Sequence, residues 1–177
     1  MKTLKDHIDE ALKIGKNLSK FSTYSCQPKT TKELKQIIEE RINKEGPNCD
    51  LNDIDTSLIT DMASFFYNSN FNGDISCWDT SNVTNMINMF AYSKFNGDIS
   101  NWDISNVDDL YYMFAYSIFN SDISKWNVIN VVNMSYMFCD AKFTGDISKW
   151  KINLRCYVTS MFSGCPIKNH LKPKLPI

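Results

Sequence analysis

The sequence predicts an α/β solenoid of about five strand–helix turns behind an N-terminal helical cap. Three features carry that expectation. The phrase Phe-Asn-Gly-Asp-Ile-Ser-Asn-Trp at 95–102 recurs with small changes from Phe71, Phe119 and Phe143, a constant step of 24 residues. A fixed period in this range marks a repeat architecture in which each unit buries its apolar face only against its neighbours. Within each copy a short alternating run ending in Trp reads as a strand, and the following Ser-Asn-Val-x-x-Met-x-x-Met-Phe has helical spacing behind a Ser or Asn cap. A separately capped amphipathic segment stands directly ahead of the first copy.

Composition agrees with one globular domain: 177 residues, 43% hydrophobic and 13% aromatic, are ample for a core. The net charge of −1 offers no global field for nucleic acid or anionic membrane, so a protein or glycan partner is expected, with no nucleic acid. The six cysteines lack metal-ligand spacing and read as small buried or incidental apolar residues in a reducing compartment. Met1 to Glu10 scatters charge where a secretion signal needs an apolar run, and no stretch is apolar for long enough to span a bilayer. A cytoplasmic or virion-associated chain without membrane insertion is the expectation.

In order along the chain, residues 1–20 carry Leu4, Ile8, Ala11, Leu12 and Leu18 at helical spacing, a short amphipathic helix that docks in cis or serves as a tether to a larger assembly. Residues 21–29 read as a connector. Over 30–46, Thr30 and Glu33 form a capping box, Leu34, Ile37, Ile38 and Ile42 form one stripe, and Gly46-Pro47 stops the helix. Its predicted role is to cover the open first turn. The array spans 47–166, and its first repeat, 47–70, is degenerate but in phase: Leu51, Ile54, Ile59, Met62 and Phe66 fall where Ile75, Trp78, Val83, Met86 and Phe90 recur. In the copy from Phe95 the inward set is Phe95, Ile99, Trp102, Val107, Leu110, Met113 and Phe114. Arg155 interrupts the last copy at the Val83 place, and 167–177 is a closing strap or a loose end.

The phrase Phe-Asn-Gly-Asp-Ile-Ser-x-Trp-Asp-x-Ser-Asn-Val-x-x-Met-x-x-Met-Phe at 71–90 resembles the BspA-type leucine-rich-repeat family, also called the mycoplasma lipoprotein-like repeat. The resemblance covers about 49–166. It implies a leucine-rich-repeat-like, right-handed solenoid without enzymatic activity and a habit of surface adhesion. The absence of a secretion signal or anchor sets this chain apart from the adhesins and is more like phage-encoded or intracellular members.

The most regular polar column is Asp74, Asp98, Asp122 and Asp146, with Ser two residues on in each copy. Stacked carboxylates repel by about 1 kcal/mol per adjacent pair in water, so something must offset that. Backbone N–H groups in the bend are the favoured offset over a row of calcium ions, because the Gly-Gly-x-Gly-x-Asp pattern is missing. No metal or other cofactor is expected. Nor is catalysis: the two histidines, His7 and His170, lie in terminal segments, and no phosphate loop or differentiated carboxylate pair stands out.

Binding should use positions that vary while the frame repeats. Tyr92, Tyr111, Tyr112, Tyr116, Tyr136 and Tyr157 form a candidate tyrosine ridge, since tyrosine joins contact area to a polar tip. The alternative face carries Asn101, Lys125 and Lys149 with Asp79 and Asp103. The same tyrosines could equally shield the turns. The expected function is therefore a non-enzymatic module binding protein or glycan, as a phage structural or attachment component; the alternative is an intracellular inhibitor or scaffold engaging one host protein.

Overall fold

A computed structural model describes residues 24–176; the predicted N-terminal helix over 1–20, the first three residues of the connector at 21–29, and His7 lie outside the described residues. The helix α1, Thr31–Glu45, begins where Thr30 accepts the Glu33 N–H at 3.2 Å, while Glu33 reaches back to the Lys29 N–H at 2.7 Å. Gly46, at φ 89°, ends it by donating its N–H to the Ile42 carbonyl. Leu34 and Ile38 join the core, and Arg41 grips both Asp53 carboxylate oxygens, at 3.0 and 3.1 Å, and the Asp50 carbonyl at 2.8 Å. Upstream of α1, Ser25 to Gln27 pairs with the first turn: the Ser25 N–H donates to Asp53 O, and the Asp55 N–H donates to Cys26 O.

The α/β architecture of strand–helix turns is overturned. Among the described residues the only helices are α1 and a three-residue 3-10 turn at Asn169–Leu171, and parallel pairing is confined to six isolated bridges with no strand. None of these helices is long and apolar enough to cross a membrane. Each copy instead stacks on the next as a coil of turns.

The reason no helix forms is local. Each copy holds two residues with positive φ, four apart: Ser64 and Asn68, Asn88 and Tyr92, Tyr112 and Tyr116, Tyr136 and Asp140, then Ser160 and Gly164. A left-handed residue every fourth position breaks a right-handed helix and leaves tandem turns, closed by Met89 N–H to Met86 O and Ser93 N–H to Phe90 O. Between these turn bonds, alternate N–H groups point outward along the stack. Met86, Asn88, Phe90 and Tyr92 donate to the carbonyls of Asp109, Tyr111, Met113 and Ala115, at 2.8 to 3.1 Å. The pattern recurs in the neighbouring copies. Tandem turns and a helix both place Met86, Met89 and Phe90 on one side, so the apolar spacing is the same.

The expected strand is lost for a second local reason. In each copy the Asp at its centre turns back to accept the N–H two residues on: Asp74 from Ser76, Asp98 from Ser100, Asp122 from Ser124 and Asp146 from Ser148, all at 2.8 to 2.9 Å. A side chain that captures a nearby amide competes with ladder pairing. Further Asx bends follow at Asp79 and Asn85 in the copy from Phe71, and at Asp103 and Asp109 in the next.

The core is a set of aromatic columns. Phe66, Phe90, Phe114, Phe138 and Phe162 stack at centroid spacings of 5.5 to 5.7 Å, and Phe71, Phe95, Phe119 and Phe143 at 6.1 to 6.3 Å. Every Trp is nearly buried and donates its indole N–H to the preceding turn: Trp78 to Leu51 O, Trp102 to Ile75 O, Trp126 to Ile99 O and Trp150 to Ile123 O. All seven members of the inward set from Phe95 are buried.

The last copy slips. Asn153, rather than Lys151 two residues earlier, makes the bend; Cys156 turns inward, while Arg155 is exposed and Leu154 is 86% exposed. The tail then returns: Leu171 O accepts the Ile147 N–H, and Ile167 and Pro173 are buried.

In urea unfolding, Phe114→Ala should lose about 3–5 kcal/mol, and Trp126→Phe, which removes one of the two hydrogen bonds to the Ile99 carbonyl and leaves a small cavity, about 1–3 kcal/mol. A loss under about 1 kcal/mol for Phe114→Ala would contradict the columnar core.

A tyrosine ridge at left-handed backbone positions

The tandem turns bring five of the six predicted tyrosines together, Tyr92, Tyr111, Tyr112, Tyr116 and Tyr136, and explain the outward direction of four of them. Tyr92, Tyr112, Tyr116 and Tyr136 all occupy positive-φ positions, at 57° to 61°. A left-handed residue in a turn carries its side chain away from the inward neighbours, and a non-glycine there costs about 1–2 kcal/mol. The rings meet each other. Tyr92 and Tyr116 stack at 4.7 Å with planes 1° apart; Tyr112 contacts Tyr116 at 6.1 Å and Tyr136 at 5.7 Å, and Tyr111 lies against Tyr112 at 5.3 Å. Tyr92 and Tyr116 remain 43% and 42% exposed. Burial, and then the neighbouring Tyr116 hydroxyl, hold the Tyr112 hydroxyl above its usual titration range.

Tyr157 stands apart from this cluster. It occupies the bridge column of Asp61, Asn85, Asp109 and Asn133 and is 70% exposed. Tyr67 belongs to the ridge instead: it is 50% exposed and meets Tyr92 edge-on at 5.7 Å. It sits one residue before the column position held by Asn68, so a search at a strict step of 24 passes over it.

On the alternative face, Lys125 and Lys149 line one open groove with Trp126 and Trp150. Asn101, Lys125 and Lys149 are exposed at successive turns, and Asp79 and Asp103 are engaged by the N–H groups of Ser81 and Ser105. A ladder of asparagines runs elsewhere: Asn72, Asn96 and Asn120 each take the N–H of the next copy on a side-chain oxygen, at 2.7 to 2.8 Å. Among the described residues, no three of His, Cys, Asp and Glu converge as a metal site would require. Burial raises the thiols of Cys49, Cys139 and Cys165 and takes Cys156 to about 11, the reverse of what activates a nucleophile.

Stacked 24-residue turns, joined by backbone bonds and aromatic columns, define a repeat protein. The family described as "Mycoplasma protein of unknown function, DUF285" matches residues 32–118 and 116–172, and the chain belongs to it. That family belongs to the BspA-like repeat class. No curated protein and no solved structure matches the chain.

The aspartate bends carry a pH dependence. Hydrogen bonds from the Ser N–H groups hold Asp74, Asp122 and Asp146 below the ordinary 3.8, and the Ser105 hydroxyl and N–H do so for Asp103. A folded-state value below the unfolded one gives stability that is complete above the unfolded value and is lost as pH falls through the folded one. Urea midpoints should therefore be flat above about pH 5 and decline below about pH 4. Asp122→Asn keeps an acceptor for Ser124 and should shrink that decline; an unchanged acid slope would show that the bend carboxylate does not contribute.

Proposed function

We propose that this chain is a non-enzymatic protein-binding module whose contact surface is the ridge of Tyr67, Tyr92, Tyr111, Tyr112, Tyr116 and Tyr136. One observation carries the proposal: four tyrosines stand at left-handed positions where glycine would fit without strain. Residues held in such conformations cluster at binding and switch regions. The tyrosines gain ring contacts worth about 0.5–1.5 kcal/mol per pair, which offset the backbone cost without exceeding it. Stability alone is thus a weak reason for them.

Ring orientation favours protein over glycan. Sugars pack on aromatic faces, but Tyr92 and Tyr116 turn their faces to each other. What such a pair offers outward is ring edges and hydroxyls, which suit the mixed polar and apolar surface of a protein. In this reading residues 1–20 serve as the tether to a larger assembly.

Glycine tests the ridge cleanly, because it removes the ring and the strain together. Tyr92→Gly with Tyr116→Gly should change stability by no more than about 1 kcal/mol. In a quantitative pull-down from the native source, the pair should lose the principal protein partner, while deletion of residues 1–20 should keep it. An unchanged partner with folded Tyr→Gly chains, or retention on a glycan array instead, would remove the proposal.

A further inference from the structure

The inner turns show what the last turn lacks. At each junction four N–H groups at alternate residues meet four carbonyls of the following copy; in the final junction Met134, Tyr136, Phe138 and Asp140 donate to Tyr157, Thr159, Met161 and Ser163. The equivalent donors of the last turn are Val158, Ser160, Phe162 and Gly164. None has an acceptor among the described residues, and Ser160 and Gly164 are exposed. Ser160 at φ 49° and Gly164 at φ 67° keep the left-handed geometry that aims these amides along the stack. A row of oriented backbone donors is a template for another polypeptide segment.

Charge says which kind of segment. Lys149, Lys151, Arg155, Lys168, Lys172 and Lys174, six of the 19 basic residues, follow Asp146, and none of the 20 acidic residues does. The remainder of the chain therefore carries 13 basic against 20 acidic residues, a charge of −7, so the overall −1 conceals a strongly basic end. Lys172 stands over the Phe162 ring at 5.4 Å, beside the donor row. In the same last turn and tail, an open groove of about 740 Å³ is lined by Trp150, Ile152, Leu154 and Leu175 together with Lys149, Lys151 and Lys174. The returning tail covers the core but leaves these donors open.

We infer that the C-terminal end of the stack receives an acidic segment of a partner polypeptide, which adds one more rung by supplying carbonyls to Val158, Ser160, Phe162 and Gly164. A second copy of the chain is a poor occupant. Its own first turn is already engaged, since Thr31 donates to Asp61 O at 2.9 Å, Lys35 lies over Phe65 at 5.4 Å, and Ser25 to Gln27 pairs with Asp53 and Asp55. Nucleic acid and anionic membrane could answer the charge, but neither supplies carbonyls at alternate residues of a backbone, and Trp150 is too buried to stack a base.

A probe with the required register exists within the chain. Residues 106–117 hold Asp108 and Asp109 and, in the intact stack, present Asp109, Tyr111, Met113 and Ala115 carbonyls to the turn before. A synthetic peptide of that sequence, titrated into the full chain labelled with 15N, should shift the amides of Val158, Ser160, Phe162 and Gly164 and slow their hydrogen exchange at least about tenfold. The same peptide with both Asp changed to Lys should bind at least about tenfold more weakly, as should the folded Arg155→Glu, Lys172→Glu chain. Shifts confined to other amides, equal binding of the Lys peptide, self-association of the chain through these amides, or stronger binding of phosphatidylglycerol vesicles or a single-stranded oligonucleotide would each overturn the inference. The tyrosine ridge can fail its own test without affecting this one, because the amides that the peptide must shift, Val158, Ser160, Phe162 and Gly164, belong to no ridge residue.

Discussion

Every layer of this molecule depends on where alternate backbone N–H groups point. In an α-helix all of them bond within the segment; here a left-handed residue every fourth position divides them into two sets. One set closes the local turns, and the other crosses to the next copy. The crossing bonds hold adjacent copies in a register that brings Phe over Phe and the Trp78 ring over that of Trp102. Side-chain bonds reinforce that register, with buried indole N–H groups in the core and asparagine oxygens at the surface both spanning the junctions. Polar satisfaction and apolar packing thus follow from one backbone arrangement.

The same arrangement accounts for both candidate interaction surfaces. Left-handed positions throw side chains outward, which makes the tyrosine ridge, and they aim amides along the stack, which makes the open end. At the N-terminal side α1 and Ser25 to Gln27 engage the first turn; at the C-terminal side the tail covers the core without using the amide row. The two ends are therefore unlike in chemistry as well as in charge. A repeat built from one motif acquires direction in this way.

The period, the inward residues and the bend aspartates were legible because they depend on side-chain chemistry that repeats. Phe95, Ile99 and Trp102 must be inside whatever the backbone does, and Asp98 followed by Ser100 is a bend signal wherever it occurs. The secondary structure was not legible. Met86, Met89 and Phe90 at spacings of three and four fit a helix and tandem turns equally, and the left-handed sites are hidden because they hold Tyr, Asn, Ser and Asp instead of Gly. Tyr67 escaped by being one residue out of phase. The basic end was readable in principle, but a net charge averages away the uneven placement of Lys149 to Lys174.

The stack depends on which carbonyl each alternate amide uses. NMR couplings transmitted through hydrogen bonds report that pairing directly. They should connect the Asn88, Phe90 and Tyr92 nitrogens to the carbonyl carbons of Tyr111, Met113 and Ala115, in the next copy. Couplings from Phe90 to Met86 and from Tyr92 to Asn88, the pairs of an α-helix, would contradict it.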